Sequence, residues 1–208
     1  MESISKGLEE KVEEELQRQR IQERRDRRKK SMKVLKEIFG WILYILTVIL
    51  VTYLIVTYVG QRTKVSGPSM EATLHDGDNL IVDKISYRFR EPERFDIIVF
   101  PYQYAEDTFY IKRIIGMPGD TVQIKDGYVY INDELLEEDI YGKEVIDDTK
   151  RGIAEEPVVL GEDEYFVMGD NRNHSSDSRD PSVGVLDRSQ LVGRAWLRVY
   201  PFESFEVF

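Results

Sequence analysis

The 208-residue chain has no cysteine, which excludes disulfide staples, thiolate metal centres and a cysteine nucleophile together. It has only two histidines, His75 and His174. They stand too far apart to form a local zinc motif, and a histidine-centred triad is poorly supplied. Neither is assigned a role. An excess of positive charge is missing too: 29 basic against 39 acidic residues leave a net charge of −10, unsuited to neutralising nucleic-acid phosphates. There is no internal repeat and no low-complexity linker. Any chemistry must therefore rest on Ser, Lys, Asp, Glu or Arg.

What is present divides into three parts. Residues 1–37 carry 12 basic and 9 acidic side chains, and residues 38–60 carry no charge at all. The remaining 61–208 hold 17 basic and 30 acidic ones. The uncharged stretch, IFGWILYILTVILVTYLIVTYVG, would be about 35 Å long as a helix, enough to cross a hydrocarbon core of about 30 Å with modest tilt. Trp41 and Tyr44 towards one end, and Tyr53 and Tyr58 towards the other, suit interfacial belts. A buried core helix rarely runs this far without a charge, and the apolar region of a cleaved signal is shorter. Ten Lys/Arg crowd residues 18–36, whereas only Arg62 and Lys64 follow the span closely. The positive-inside rule then places residues 1–37 in the cytoplasm and 61–208 outside, with the basic run near anionic headgroups. Residues 8–30 read as a charged, solvated helix with Glu14–Arg18 and Glu23–Arg27 at the stabilising i, i+4 spacing.

The outer part reads as short strands: 79–85, 96–101, 121–125, 128–131, 163–168 and 195–200, with Gly116, Pro118 and Gly119 as punctuation. Asp126-Gly127 between two of them is a two-residue hairpin signal. Residues 133–158, with ten acids against three bases, read as an exposed loop or small excursion. A single mainly β, antiparallel domain behind one N-terminal transmembrane helix is the simplest account.

Three segments concentrate reactive side chains. The first, VSGPSMEATLHDGD, sets Ser69 in a Gly/Pro turn just beyond the span; a serine there is more often only a turn residue. The second is FYIKRIIGMPGD. Strand alternation puts Tyr110, Lys112 and Ile114 on one face and Phe109, Ile111, Arg113 and Ile115 on the other, so one cation must share a face with apolar neighbours. Such a cation either snorkels to water or is a desolvated lysine whose pKa falls towards neutrality. A neutral amine can take the proton of a serine hydroxyl without histidine. The third, MGDNRNHSSDSRDPSVGVL, is a polar loop in which Asp170, Arg172, Asp177 and Arg179 offer acid–base pairs; a turn cluster stitched by hydrogen bonds is its generic reading.

In this order behind one span, the strings SGPSMEATLHDGD, YIKRIIGMPGD and MGDNRNHSSDSR resemble the bacterial type I signal peptidases over most of residues 36–208. The resemblance implies a membrane-bound serine endopeptidase with a signal-peptidase-like β domain, cutting signal peptides from secretory preproteins on the outer face after small residues (Ala-x-Ala). It implies Ser69 as nucleophile, Lys112 as general base, and Ser175 as the residue that orients the lysine. It also implies an oxyanion hole at the Ser69 backbone N–H and the Gly67 region, and Asp170, Arg172, Asp177 and Arg179 as braces of the loop. Val65, Met70, Leu74, Tyr110 and Ile111 match substrate-pocket positions, although plain core packing explains them equally. No metal, organic cofactor or nucleic acid is implied; the partners are preproteins and the lipid bilayer.

Two departures stand out. Gly67 occupies a position where some relatives place a hydroxyl, and Ala72 replaces the usual proline, which would pre-set the turn. A soluble self-cleaving repressor with the same dyad lacks a span. An anchored binding module that lost turnover, or an adhesion domain, would have no use for a costly buried lysine.

Overall fold

A computed structural model describes residues 2–55, 60–71, 73–105, 107–137, 140–142 and 144–208, leaving out the side chains of residues 2–17, 19, 21, 23 and 26. Ala72, Tyr58 and the side chains of Glu14 and Glu23 therefore lie outside the described residues.

The chain forms two compact units, residues 1–54 and 55–208. The first is one continuous helix, α1 (Glu2–Leu54). Its segment Arg27–Leu54 has a mean hydropathy of 2.1 and is long and apolar enough to cross a membrane. Its side chains are exposed all round, including Trp41, Tyr44 and Tyr53. Leaving large apolar side chains in water costs roughly 1.5–3 kcal/mol each, so a run of this length and hydropathy suits an apolar medium. The described helix ends short of residue 60: Gly60, placed by the sequence at the end of the span, instead opens strand β1 (Gly60–Lys64).

The second unit is built from two antiparallel sheets. The larger contains β1, β2 (Asn79–Asp83), β3 (Ile97–Pro101), β4 (Phe109–Gly116), β9 (Glu164–Met168), β10 (Leu186–Asp187) and β11 (Gly193–Tyr200). Their order is β1-β2-β11-β3-β4-β9-β10, and β12 (Glu206–Val207) pairs with β11. The smaller sheet runs β7 (Glu134–Leu135), β6 (Tyr128–Ile131), β5 (Thr121–Lys125), β8 (Val158–Val159). At the β5–β6 turn Asp126 and Gly127 both take positive φ, 51° and 80°, as the right-handed twist of a two-residue hairpin requires.

The large sheet is covered on both faces. Along β3, Ile97 and Val99 enter one buried cluster with Val65, Met70, Leu74 and Leu80, while Ile98 and Phe100 enter another with Ile114, Tyr165 and Val167. A third cluster joins the small sheet to Ile115, Phe166 and Met168. The sequence requires at least one β4 cation among apolar neighbours, and in this packing both are buried: Lys112 is 4% exposed and Arg113 3%. The acidic stretch 133–158 is also more than a loop. It supplies β7, β8 and two short 3-10 turns, and it buries Ile146 and Ala154 against the small sheet.

Candidate active site

The segment bearing Ser69 leaves β1 and returns to β2 as a closed loop. Val65 N–H donates to Asp78 O (2.8 Å) and Gly77 N–H to Val65 O (3.0 Å), tying its two limbs. Gly67 adopts φ +89°, a conformation that disfavours any side chain, and its N–H donates to Asp76 Oδ1 (2.9 Å). From Pro68 the backbone makes one helical turn, with Glu71 N–H donating to Pro68 O (3.0 Å) and Leu74 N–H to Met70 O (2.8 Å). Proline suits the start of such a turn because its φ is already set. Met70 and Leu74 are sunk in the core and pin the turn, leaving Ser69 half-buried at its outer face.

Lys112 reaches this serine from β4. Its Nζ lies 2.8 Å from Ser69 Oγ and 3.0 Å from Ile111 O, and 5.1 Å from the centre of the Tyr110 ring. Burial is the main influence on the amine and draws its pKa from the ordinary 10.5 down to about 8. The carboxylates of Asp177 and Asp170 pull it partly back, and Arg179 pushes it further down. A lysine so placed holds a usable fraction of free base near neutrality.

The third segment closes the site from the other side. Asn171 N–H donates to Ser69 O (3.2 Å) and Asn171 Nδ2 to Pro68 O (3.1 Å), so this loop grips the backbone of the serine turn. Asp177, fully buried, accepts from Arg179 Nε and Nη2 (both 2.8 Å) and from Gly169 N–H (2.9 Å). Arg179 in turn donates to Lys150 O (3.1 Å). Gly169 has no room for a Cβ, which would run into Ser175 Oγ and Ser69 O.

Several expected site residues fall where the sequence put them, and others do not. Asp177 and Arg179 form the anticipated pair. Asp170 does not pair with Arg172; it accepts two hydrogen bonds from Arg113, at 2.8 and 2.7 Å. Arg113 also donates to Phe95 O (2.8 Å) and stacks over the Tyr141 ring at 3.5 Å. Arg172 donates instead to Gly169 O (3.2 Å). The Ser175 hydroxyl is buried at the site but makes no hydrogen bond to Lys112. The Gly67 N–H is taken by Asp76, and the Ser69 N–H has no acceptor among the described residues.

A cleft of about 240 Å³ opens beside the pair, lined by residues 63–70, residues 109–112 and Ser176. Val65, Met70, Tyr110 and Ile111 line it, and Val65, Met70 and Ile111 are at the same time members of a buried core cluster; Leu74 does not line it and lies wholly in the core. Arg113, Asn171, Gly169 and Ser176 escaped the sequence reading. The available signals were Arg113's place beside Lys112 on an apolar strand and the dense GDN run. Among the described residues no cluster of three His, Asp or Glu could hold a metal ion.

Comparison with known proteins shows what the chain as a whole is similar to. The family model described as "Signal peptidase, peptidase S26" matches residues 38–200. The chain is 34% identical over 179 residues to a signal peptidase I of Bacillus licheniformis, covering 84% of this chain and 95% of that one. It is 41% identical over 151 residues to a probable signal peptidase I-2 of Synechocystis, covering 70% of this chain and 65% of the relative. A solved signal peptidase I from Enterococcus faecalis aligns at 32% identity and a TM-score of 0.42, covering 50% of this chain and 97% of that structure.

Proposed function

The chain belongs to the signal peptidase family, peptidase S26, whose members are serine endopeptidases, and from this we propose that it cleaves signal peptides from preproteins with a Ser69–Lys112 dyad. The observation that carries the proposal is the 2.8 Å approach of Lys112 Nζ to Ser69 Oγ inside a buried site that keeps the amine's pKa near 8.

The neutral amine accepts the Ser69 proton as Oγ attacks the scissile carbonyl carbon. The Ser69 N–H faces the oxyanion that forms. One such donor is typically worth about 3–4 kcal/mol in the transition state, so a lone donor leaves this site dependent on it. The new ammonium returns its proton to the departing amine and leaves an acyl-enzyme. Lys112 then deprotonates a water that attacks the ester, and Ser69 recovers its proton. Asp177 with Arg179 braces the third segment internally, Asp170 with Arg113 ties it to β4, and Asn171 holds it against the serine turn. Ser175, whose buried Oγ has no hydrogen-bond partner here, takes up the lysine-orienting role only if its side chain turns towards Lys112.

Substrate choice follows from the walls. Val65, Met70, Tyr110 and Ile111 leave shallow apolar pockets that admit alanine at the first and third positions before the cut and exclude larger groups. In this reading α1 crosses the bilayer once, with the basic tail in the cytoplasm and the β domain outside, where preproteins emerge. The test is cleavage of an Ala-x-Ala preprotein by the full chain in detergent. Ser69→Ala and Lys112→Ala should each abolish product while circular dichroism stays unchanged. Product formation by Ser69→Ala would remove the dyad from the mechanism.

A further inference from the structure

The loop joining β3 to β4, the strand that carries Lys112, is rich in aromatics that the reaction does not use. Tyr110, on the wall of the cleft, stacks on Tyr102 at 4.6 Å with the ring planes 9° apart. Tyr102 meets Tyr104 edge to face at 5.7 Å, and Tyr104 is 69% exposed. Phe100 supports Tyr110 from below at 5.9 Å. The rings thus form a ladder running from the core, past the cleft wall, to an exposed end.

The loop is built to hold this ladder. Tyr102 N–H donates to Thr108 O (2.8 Å), Ala105 N–H to Tyr102 O (3.3 Å), and Asp107 takes φ 58° to close the turn. Gln103 Nε2 donates to Ser182 O (2.8 Å), clamping the loop to the segment that follows Asp177. A braced loop holds the exposed Tyr104 ring in a fixed position, so that an apolar side chain packed on it would lose little loop freedom.

Its place relative to the cleft says what covers it. Among the described residues only 113–116 of β4 pair with β9, so Phe109–Lys112 line the cleft without a neighbouring strand on that edge, although Ile111 O already accepts from Lys112 Nζ. A peptide laid along that edge advances about 3.3 Å per residue. From Lys112 to Phe109 is three residues, so a chain whose first and third residues before the cut occupy the pockets reaches the ladder at the next few. We propose that Tyr102 and Tyr104 form a subsite for the substrate's fourth to sixth residues before the scissile bond, taking an apolar or aromatic side chain against the Tyr104 ring. This rests on the signal-peptide reading given above and names a further specificity determinant within it.

The experiment compares two synthetic peptides cut by the full chain in detergent. Both carry Ala-x-Ala before the bond and the same residues after it. One begins three residues before the cut; the other extends to nine and has leucine or phenylalanine at the fifth. The native chain should favour the long peptide in kcat/KM, and Tyr104→Ala should reduce that long-to-short preference by roughly two- to tenfold, the size of one aromatic contact, mostly through KM. Tyr128→Ala, which removes an exposed ring from the small sheet, should leave the preference intact. An unchanged preference in Tyr104→Ala overturns the subsite. So does an equal loss on both peptides that occurs in anionic phosphatidylglycerol vesicles but not in detergent, because the ring would then be a lipid contact. If the native chain cut neither peptide nor a full preprotein, the signal-peptide reading itself would fall, a result separable from the other two.

Discussion

Raising the pH from 6 to 10 should switch activity on through one ionisation, that of Lys112. With its pKa near 8, about one molecule in ten holds the free amine at pH 7 and about nine in ten at pH 9. The value of kcat/KM should therefore climb about tenfold per pH unit well below 8 and level off above it. The same burial has a stability consequence. Between about pH 8 and the ordinary 10.5, the unfolded chain binds a proton here that the folded chain has released, so stability rises with pH across that window. Below it both states are protonated and the fold carries the whole penalty, roughly 3 kcal/mol for a depression of this size. Lys112→Met removes the penalty but also the contacts to Ser69 Oγ and Ile111 O, each worth about 1 kcal/mol. The variant should be inactive at every pH. At pH 7 it should resist urea better than the native chain by roughly 1 kcal/mol, a margin that vanishes or reverses by pH 10.5. Urea titrations followed by tryptophan fluorescence, beside a pH–activity profile on one peptide, measure both. An activity profile flat from pH 6 to 10, or a stability difference indifferent to pH, would refute the reasoning.

Gly169→Ala should cost at least about a hundredfold in kcat, because the added methyl displaces the Ser69 backbone and Ser175 together; peptide turnover beside an unchanged circular dichroism spectrum checks it. Asp170→Ala strands the buried Arg113 guanidinium and should destabilise the domain by about 3–5 kcal/mol. The double change with Arg113→Met should recover most of that loss in urea, whereas additive losses would mean the two residues act separately. EDTA should leave turnover unchanged, since the proposed reacting groups are Ser69 and Lys112; inhibition reversed by added metal would contradict this.

The parts of the fold legible in the sequence were those with a strong local signal. The uncharged run from residue 38 and the Asp126-Gly127 hairpin each announce themselves within a few residues. So do strands β3, β5 and β6, through alternation or apolar runs. Strands of two residues, β7, β8, β10 and β12, are too short to have a period. The site followed the same division. Ser69 and Lys112 could be picked out through family resemblance and the awkwardness of a cation on an apolar strand. That Arg113 would be buried beside it, and would take Asp170 from Arg172, depends on packing against both faces of the sheet. No local pattern carries that information. For Leu74 the sequence leaves pocket and core equally open, and the structure puts it in the core, where it packs with Val65, Met70 and Leu80.

The free amine in this protein is a property of the finished fold. In an unfolded or half-folded chain Lys112 is an ordinary solvated ammonium, and Ser69 beside it is an ordinary alcohol. In the proposed Ser69–Lys112 mechanism, reactivity requires that β4 be enclosed and that the Asp170–Asp177 loop lie against the serine turn. The reading of Lys112 as base therefore makes folding the activation step. A newly made chain would pass harmlessly among its neighbours, and the peptidase would come into being only at the place where its β domain completes itself.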